Sequence, residues 1–134
     1  MRKQKTEKQL LEKELNDLWK KVSRMFLEKK CVACGGRLST WHHFIPKSKC
    51  TRLRYDIQNS IPICVKCHYN IHHGWKPTDV ANIVNEIIRV RGKKWHDYIL
   101  LHERDTIKKD MKWLNKQKEI LLNITRKDIK KYER

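Results

Sequence analysis

The sequence predicts an α+β fold that is mostly helical, with a small core of two strands and one helix between flanking helices. All four glycines and all three prolines lie between positions 35 and 92, so both ends lack the strongest helix breakers. The ends show apolar residues at helical spacing, whereas two short middle runs combine aromatic and β-branched residues. We therefore divide the chain into an N-terminal amphipathic helix (1–30), a middle core (31–76) and a C-terminal helical region that packs on the core (77–134).

The N-terminal segment predicts one amphipathic helix from residue 6 to about residue 29. Thr6 and Gln9 have the spacing of a capping box, which marks a helix start. An apolar stripe follows at alternating four- and three-residue steps, formed by Leu11, Leu15, Leu18, Val22 and Met25. We expect the rest of the chain to cover this stripe. Pairing with a second copy, which would give a homodimer through the N-terminal helix, is the alternative.

The C-terminal segment predicts three helices and a last turn. The first is the clearest, because an apolar face from Val80 to Ile88 is followed by Gly92, where a glycine would end the helix. The predicted helices cover about 79–91, the neighbourhood of Trp95 to His102, and Ile107 to Leu122, and Thr125 with Asp128 begins the last turn. We find no catalytic pattern in these segments.

The chain is strongly basic, with 32 Lys and Arg against 15 Asp and Glu and a formal net charge of +17. The excess is sharpest in residues 31–76, which hold seven basic side chains and one acid, Asp56. Such a segment repels itself unless anions bind to it, so we expect a polyanionic partner, most often nucleic acid. A merely solvated surface is the alternative. No apolar run approaches the roughly 18 residues that span a bilayer, so we expect no membrane partner.

Four of the five cysteines form two Cys-x-x-Cys pairs. Cys31 and Cys34 are followed by two glycines, the sequence of a zinc knuckle, and Cys64 with Cys67 completes a tetrahedral four-sulfur site. This usage predicts a structural Zn²⁺ and a reducing compartment rather than disulfides. Cys50 lies outside the pairs and is expected to be a free thiol, with a thiol enzyme as a further alternative.

Five of the seven histidines lie in the same middle segment. From Cys64 onward the pattern is helical, and His68 and His72 share a helix face about 90° from the face of the cysteines. Two separate ions are therefore expected. His42 or His43 can supply the third ligand of the second ion. Because neighbouring strand residues point to opposite faces, only one of the two is expected to bind this ion, and the remaining histidine can accept or donate a proton in the reaction. Structural histidines in a plain zinc module are the alternative.

Together these residues resemble the HNH endonucleases, the ββα-metal superfamily, and in particular its members with a Cys-x-x-Cys on either side of the motif. The three letters correspond to His43, Asn59 and His68 or His72, and the resemblance covers residues 31 to about 76. The flanking helices are similar to basic, zinc-containing phage nucleases of the NinG type. This resemblance implies a ββα-metal core in a protein of a bacterial or phage-infected host cytoplasm.

The resemblance implies hydrolysis of phosphodiester bonds in DNA with one catalytic divalent ion. His43 would be the general base that activates water, and Asn59 would hold its ring in the active tautomer. His42, His68 and His72 would hold the ion, and three imidazoles favour Zn, Ni, Mn or Co over Mg. The basic loop between the strands offers contacts to phosphate from Lys47, Lys49, Arg52 and Arg54.

Two questions stay open at this point. The substrate is expected to be DNA, with RNA or branched DNA as alternatives. The alternative to a nuclease is a non-catalytic zinc-containing module that binds nucleic acid. The two differ in metal content, because the module holds one zinc per chain and the nuclease also holds a second ion.

Overall fold

The computed structural model describes residues 4–74 and 76–133, so residues 1–3, 75 and 134 of the predicted segments lie outside the described residues. Within those ranges the chain is mostly helical with one small antiparallel sheet, which confirms the predicted fold class. The elements are α1 (Glu7–Phe26), β1 (Thr40–His43), β2 (Ser60–Ile63), α2 (Val65–His73), α3 (Pro77–Arg91), α4 (Lys93–His102), α5 (Met111–Leu122) and α6 (Arg126–Lys130). None of the helices in this described part is long and apolar enough to cross a membrane.

Helix α1 begins where its capping box predicts. The Thr6 side chain accepts a hydrogen bond from the Gln9 backbone N–H at 3.1 Å, and the Gln9 side chain accepts one from the Thr6 N–H at 2.9 Å. These two bonds satisfy backbone donors that the first turn leaves unpaired. The helix ends at Phe26, three residues before the predicted end.

The buried face of α1 differs in part from the predicted stripe. The buried residues are Leu11, Leu15, Trp19, Val22 and Ser23. Met25, the last member of the predicted stripe, is 53% exposed. A straight helix has 3.6 residues per turn, so its buried face drifts away from a strict seven-residue repeat. The stripe packs against α5 of the same chain, and this contact covers the surface that a homodimer through α1 would use.

The middle segment is held between two pairs of helices. Strands β1 and β2 pair in antiparallel register, with His42 opposite Ile61 and His43 opposite Ser60. On one side, Tyr55 joins an apolar cluster with residues of α1 and α5. On the other side, Ile61 joins a cluster with residues of α3 and α4. The strands therefore rely on flanking helices for burial, since a two-stranded hairpin is only marginally stable alone.

The C-terminal helices follow the predicted order with shifted starts. Helix α3 begins at Pro77 rather than residue 79, because proline is favoured in the first helical turn. It ends at Arg91 and is followed by the C-cap residue Gly92, whose φ of 93° lies in the left-handed region that favours glycine. Helix α5 begins at Met111 rather than near Ile107, since the Asp110 side chain caps it. Helix α6 has the predicted capping box of Thr125 and Asp128.

Candidate active site

The four paired cysteines come together at the junction of the knuckle and α2. The Sγ atoms of Cys31, Cys34, Cys64 and Cys67 all lie within 4.8 Å of one another. Within the knuckle, the Gly35 N–H donates to the Cys31 carbonyl at 2.8 Å, and the Cys31 N–H donates to the Gly36 carbonyl at 2.9 Å. Gly35 has a φ of 76°, which a side chain would strain. The turn therefore depends on the glycine that follows the first pair.

The geometry of this cluster fits a tetrahedral zinc ion. The Sγ atoms of Cys34 and Cys64 are 3.7 Å apart, and four sulfurs bound at about 2.3 Å from zinc would lie about 3.8 Å apart. Backbone N–H groups also face the sulfurs, from Gly36 to Cys34 at 3.4 Å and from Cys67 to Cys64 at 3.3 Å. Burial raises the pKa of Cys64, but hydrogen bonds from Cys67 and the neighbouring thiols outweigh burial and lower the pKa to about 7. The donor set is that of structural zinc.

Cys64 also fixes the start of α2. It is the N-cap residue, and its sulfur accepts the hydrogen bond from the Cys67 N–H. At the other end of the helix, a Cβ on Gly74 would clash with the Asn70 carbonyl oxygen, so the chain leaves α2 through a position that only glycine fits. Both ends of the helix that carries His68 and His72 are thus determined locally.

A second cluster consists of three imidazoles. His42 on β1 meets His68 and His72 on α2, with one nitrogen of each ring within 4.8 Å of the others. The Nε2 atoms of His68 and His72 are 3.1 Å apart, and two nitrogens bound to one ion at about 2.1 Å lie about 3.0 to 3.4 Å apart. The cluster therefore has room for one ion. Strand alternation left open whether His42 or His43 joins the two helical histidines, and the structure places His42 there.

The electrostatics of this cluster favour neutral imidazoles. His42 is 8% exposed, and burial lowers its pKa to about 3, with the neighbouring rings of His68 and His72 acting in the same direction. A neutral imidazole has a lone pair that can bind a metal ion. His73 is exposed, and its ring contacts Tyr69 instead of joining the cluster.

His43 lies on the opposite face of β1. Its Nε2 is 2.9 Å from the backbone carbonyl oxygen of Arg54. A carbonyl can only accept, so Nε2 carries the proton and Nδ1 keeps a lone pair. Burial lowers the pKa of His43 to about 4, and the nearby charges of Lys47, Arg54 and Lys20 add to this effect, so the ring is neutral at pH 7. His43 can therefore accept a proton on Nδ1.

Asn59 does not make the contact to His43 that we predicted. Its Oδ1 accepts from the Ile45 N–H at 2.8 Å, and its Nδ2 donates to the carbonyls of Ile45 at 3.0 Å and Leu53 at 3.2 Å. The buried amide thus holds together both ends of the loop between the strands. The predicted direct contact is wrong; the Arg54 carbonyl takes that place, and Asn59 influences it by holding Leu53, one residue away.

The four basic residues of the loop have different surroundings. Arg52 forms an ion pair with Asp56 at 3.3 Å, and the Tyr98 hydroxyl donates to the same carboxylate. The only acid of the middle segment thus anchors Arg52 to the fold, and the phosphate contact of Arg52 stays a prediction. Arg54 is half-buried, with its guanidinium over the Tyr55 ring. Lys47 and Lys49 are both exposed.

Cys50 lies apart from both clusters, as predicted. It is 4% exposed, belongs to an apolar cluster and donates its thiol hydrogen to the His102 carbonyl. A thiol this buried is a packing residue rather than a nucleophile.

Sequence reasoning did not identify two groups that contact His43. One is the Arg54 carbonyl, which no side chain reveals. The other is Trp19 of α1, whose ring stacks on the imidazole with 4.0 Å between centroids and 10° between planes. Its only signal in the sequence is its position four residues after Leu15, on the drifting apolar face of the helix.

Comparison with known proteins shows which family the middle segment is similar to. Residues 31–74 match the family model HNH endonuclease, which confirms the resemblance over that segment. The curated mitochondrial DNA mismatch repair protein mutS homolog of Sarcophyton glaucum is 33% identical over 66 residues, covering 42% of this chain but only 7% of that relative. No solved structure matches the chain. The resemblance of the flanking helices to NinG-type phage nucleases stays a prediction.

Proposed function

We propose that this protein is a metal-dependent HNH endonuclease that hydrolyses phosphodiester bonds in DNA. One observation supports it above the others: neighbouring residues of β1 face two different groups. His42 joins a three-imidazole cluster, and His43 presents a proton-accepting nitrogen on the other side of the strand. This pairing of a metal site with a base lies inside the segment that matches the nuclease family.

His43 acts as the general base. Its Nδ1 accepts a proton from a water molecule as the water oxygen attacks the phosphorus atom of the scissile phosphate. The bond from phosphorus to the 3′ oxygen breaks in the same reaction, and the departing 3′ oxygen takes up a proton from solvent. The Arg54 carbonyl, 2.9 Å from Nε2, keeps the ring in the required tautomer. The same carbonyl stabilises the positive charge that the ring acquires on protonation. Asn59 supports this step indirectly, because its side chain bonds to the Leu53 carbonyl and so holds the loop that carries the Arg54 carbonyl.

His42, His68 and His72 would hold the catalytic ion. An ion held there would supply positive charge that stabilises the negative charge on the phosphate in the transition state. Three imidazoles suit Zn, Ni, Mn or Co, and Mg prefers oxygen ligands. A zinc ion held by the four cysteines would have a structural role only, because four protein sulfurs leave no position for substrate or water.

DNA is the proposed substrate because the net charge of this chain and the name of its relative both point to it. The net charge of +17 suits a phosphate backbone, and exposed Lys47 and Lys49 lie on the loop next to His43. The relative that aligns with this chain is named a DNA mismatch repair protein. We place the enzyme in the cytoplasm, where the cysteines stay reduced.

The test is nicking of supercoiled plasmid by purified protein, with Mg, Mn, Ni, Co or Zn added in turn. His43→Ala should lower cleavage by about 100-fold or more, the usual scale for a general base, without changing zinc content or folding. His96→Ala, a histidine of α4 outside both clusters, is the matched control and should cut like the wild type. Equal cleavage by wild type and His43→Ala would refute the role of His43.

A second candidate is a non-catalytic zinc-containing module that binds nucleic acid. It is favoured by the position of Asn59, whose amide contacts loop backbone rather than the histidine that it would orient. This module would retain one zinc per chain, take up no second ion and bind DNA without cutting it under any metal. RNA and branched DNA are tested as substrates under the same conditions. A protein that cuts either of them is a nuclease even if it leaves plasmid DNA intact.

A further inference from the structure

We propose that Trp19 is a positioning residue that holds the imidazole of His43 in its working orientation; the catalytic meaning of this role rests on the proposed function. Trp19 belongs to α1, outside the residues 31–74 that match the nuclease family. The N-terminal helix would then complete the active site rather than merely cover the core.

The first support is the contact itself. The indole of Trp19 is 1% exposed and lies parallel to the His43 ring at 4.0 Å. A flat wall at van der Waals distance blocks rotation of the imidazole toward that side. The contact uses only the face of the ring, so both nitrogens on its edge stay available, Nε2 to the Arg54 carbonyl and Nδ1 to water.

The second support is that the indole is itself anchored next to the group that sets the tautomer. Its Nε1–H donates to the Asp56 carbonyl at 3.0 Å, 37 positions along the chain. Asp56 lies two residues after Arg54, whose carbonyl holds His43. Trp19 therefore contacts both the base and the loop that orients the base, and it fixes their relative position.

A third contact ties the same turn of α1 to the partner strand of His43. The Ser23 hydroxyl donates to the Trp19 carbonyl at 2.8 Å and lies 2.7 Å from the Ser60 hydroxyl, and all three residues are buried. Ser60 is the residue opposite His43 in the sheet register. Helix α1 is thus bonded to the sheet on one side of His43 and to the loop on the other.

Trp95 provides a matched control for this proposal. It is also 1% exposed, and its indole N–H also donates to a backbone carbonyl of the middle segment, that of Gln58 at 2.8 Å. Its ring packs edge to face against Phe44, and among the described residues no ring contact or hydrogen bond joins it to His42, His43, His68 or His72. Replacing either tryptophan removes the same buried volume and the same kind of hydrogen bond, but only Trp19 loses a stack on His43.

The experiment compares kcat and KM for Trp19→Leu, Trp19→Phe and Trp95→Leu. Misplacement of a reacting group by about 1 Å can cost about 100-fold in rate, so Trp19→Leu should lower kcat by roughly 10- to 100-fold with KM within about twofold. Trp19→Phe keeps a flat ring and should recover most of kcat. Trp95→Leu should lose comparable thermal stability yet keep kcat within about twofold. Equal kcat for Trp19→Leu and Trp95→Leu would overturn the proposal.

A readout without activity separates this proposal from the proposed function. The stacked indole shifts the His43 ring protons upfield in a ¹H–¹⁵N spectrum of the histidine side chains, and this shift should vanish in Trp19→Leu but not in Trp95→Leu. Unchanged His43 signals in Trp19→Leu would overturn the positioning role even if the wild type cuts DNA. If the wild-type protein cuts no substrate, the proposed nuclease function is refuted, and the spectrum still tests whether Trp19 positions the His43 ring. Should Trp19→Leu not fold, Trp19→Met replaces it in both measurements.

Discussion

Removing one sulfur from the four-cysteine cluster is expected to destabilise the whole middle segment. Cys34 is the best position for this test because its side chain is exposed, so Cys34→Ser creates no cavity in the core. What the variant loses is a zinc ligand. Zinc binding in small modules contributes directly to folding free energy, so the loss should appear as a loss of stability.

The size of the effect follows from the chain topology. A metal ion that joins Cys34 to Cys64 links positions 30 residues apart. The chain-entropy relation for a cross-link of this length gives about 3.6 kcal/mol at 25 °C. For a domain of this size, each kcal/mol corresponds to roughly 3 to 5 °C in Tm, so Cys34→Ser should melt roughly 10 to 18 °C below the wild type.

The assay combines thermal unfolding with metal analysis of the purified protein. The wild type should contain zinc in the cluster, and a chelator should lower its Tm toward that of Cys34→Ser. Cys50→Ala is the control, because it removes a buried thiol outside the cluster and should leave zinc content unchanged. A Cys34→Ser protein with wild-type Tm and wild-type zinc content would refute the four-sulfur site.

Two further predictions follow from the structure. His72→Ala should leave folding and structural zinc intact, since this residue is exposed, but should weaken Ni²⁺ binding at the second cluster by at least roughly 100-fold in titration calorimetry; unchanged affinity would exclude His72 as a ligand. Leu15→Ala should cost about 2 to 5 kcal/mol in urea unfolding, because Leu15 is fully buried, whereas Met25→Ala should cost no more than about 0.5 kcal/mol. Equal losses of unfolding free energy in Leu15→Ala and Met25→Ala would mean that a second copy of the chain covers the exposed side of α1 around Met25.

Capping signals in the sequence predicted the starts of α1 and α6, whereas α3 and α5 begin at other positions than predicted. The capping boxes of Thr6 with Gln9 and of Thr125 with Asp128 both form, because each involves residues only three positions apart. The extent of the buried face of α1 was less predictable. A heptad count placed Met25 in the core, and the packing of α1 on α5 exposes it.

The two clusters of candidate metal-binding residues were also predictable in large part. The two Cys-x-x-Cys pairs form one cluster, and the spacing of His68 and His72 directs both to a separate site. Strand alternation correctly separated His42 from His43. It could not say which of the two faces α2, because that depends on how the strand pair docks against the helix.

The sequence by itself determined the kinds of sites in this protein, since ligand type and short-range spacing follow from side-chain chemistry and from helix or strand geometry. Only the tertiary structure decided what surrounds His43. Trp19 and Arg54 lie 24 and 11 positions from it, and Arg54 contributes a backbone carbonyl that any residue would have. Asn59 shows the same limit, because its type predicted a hydrogen-bonding role and only the packed loop determined its partners. Long-range packing chooses among contacts that short-range chemistry leaves equally available.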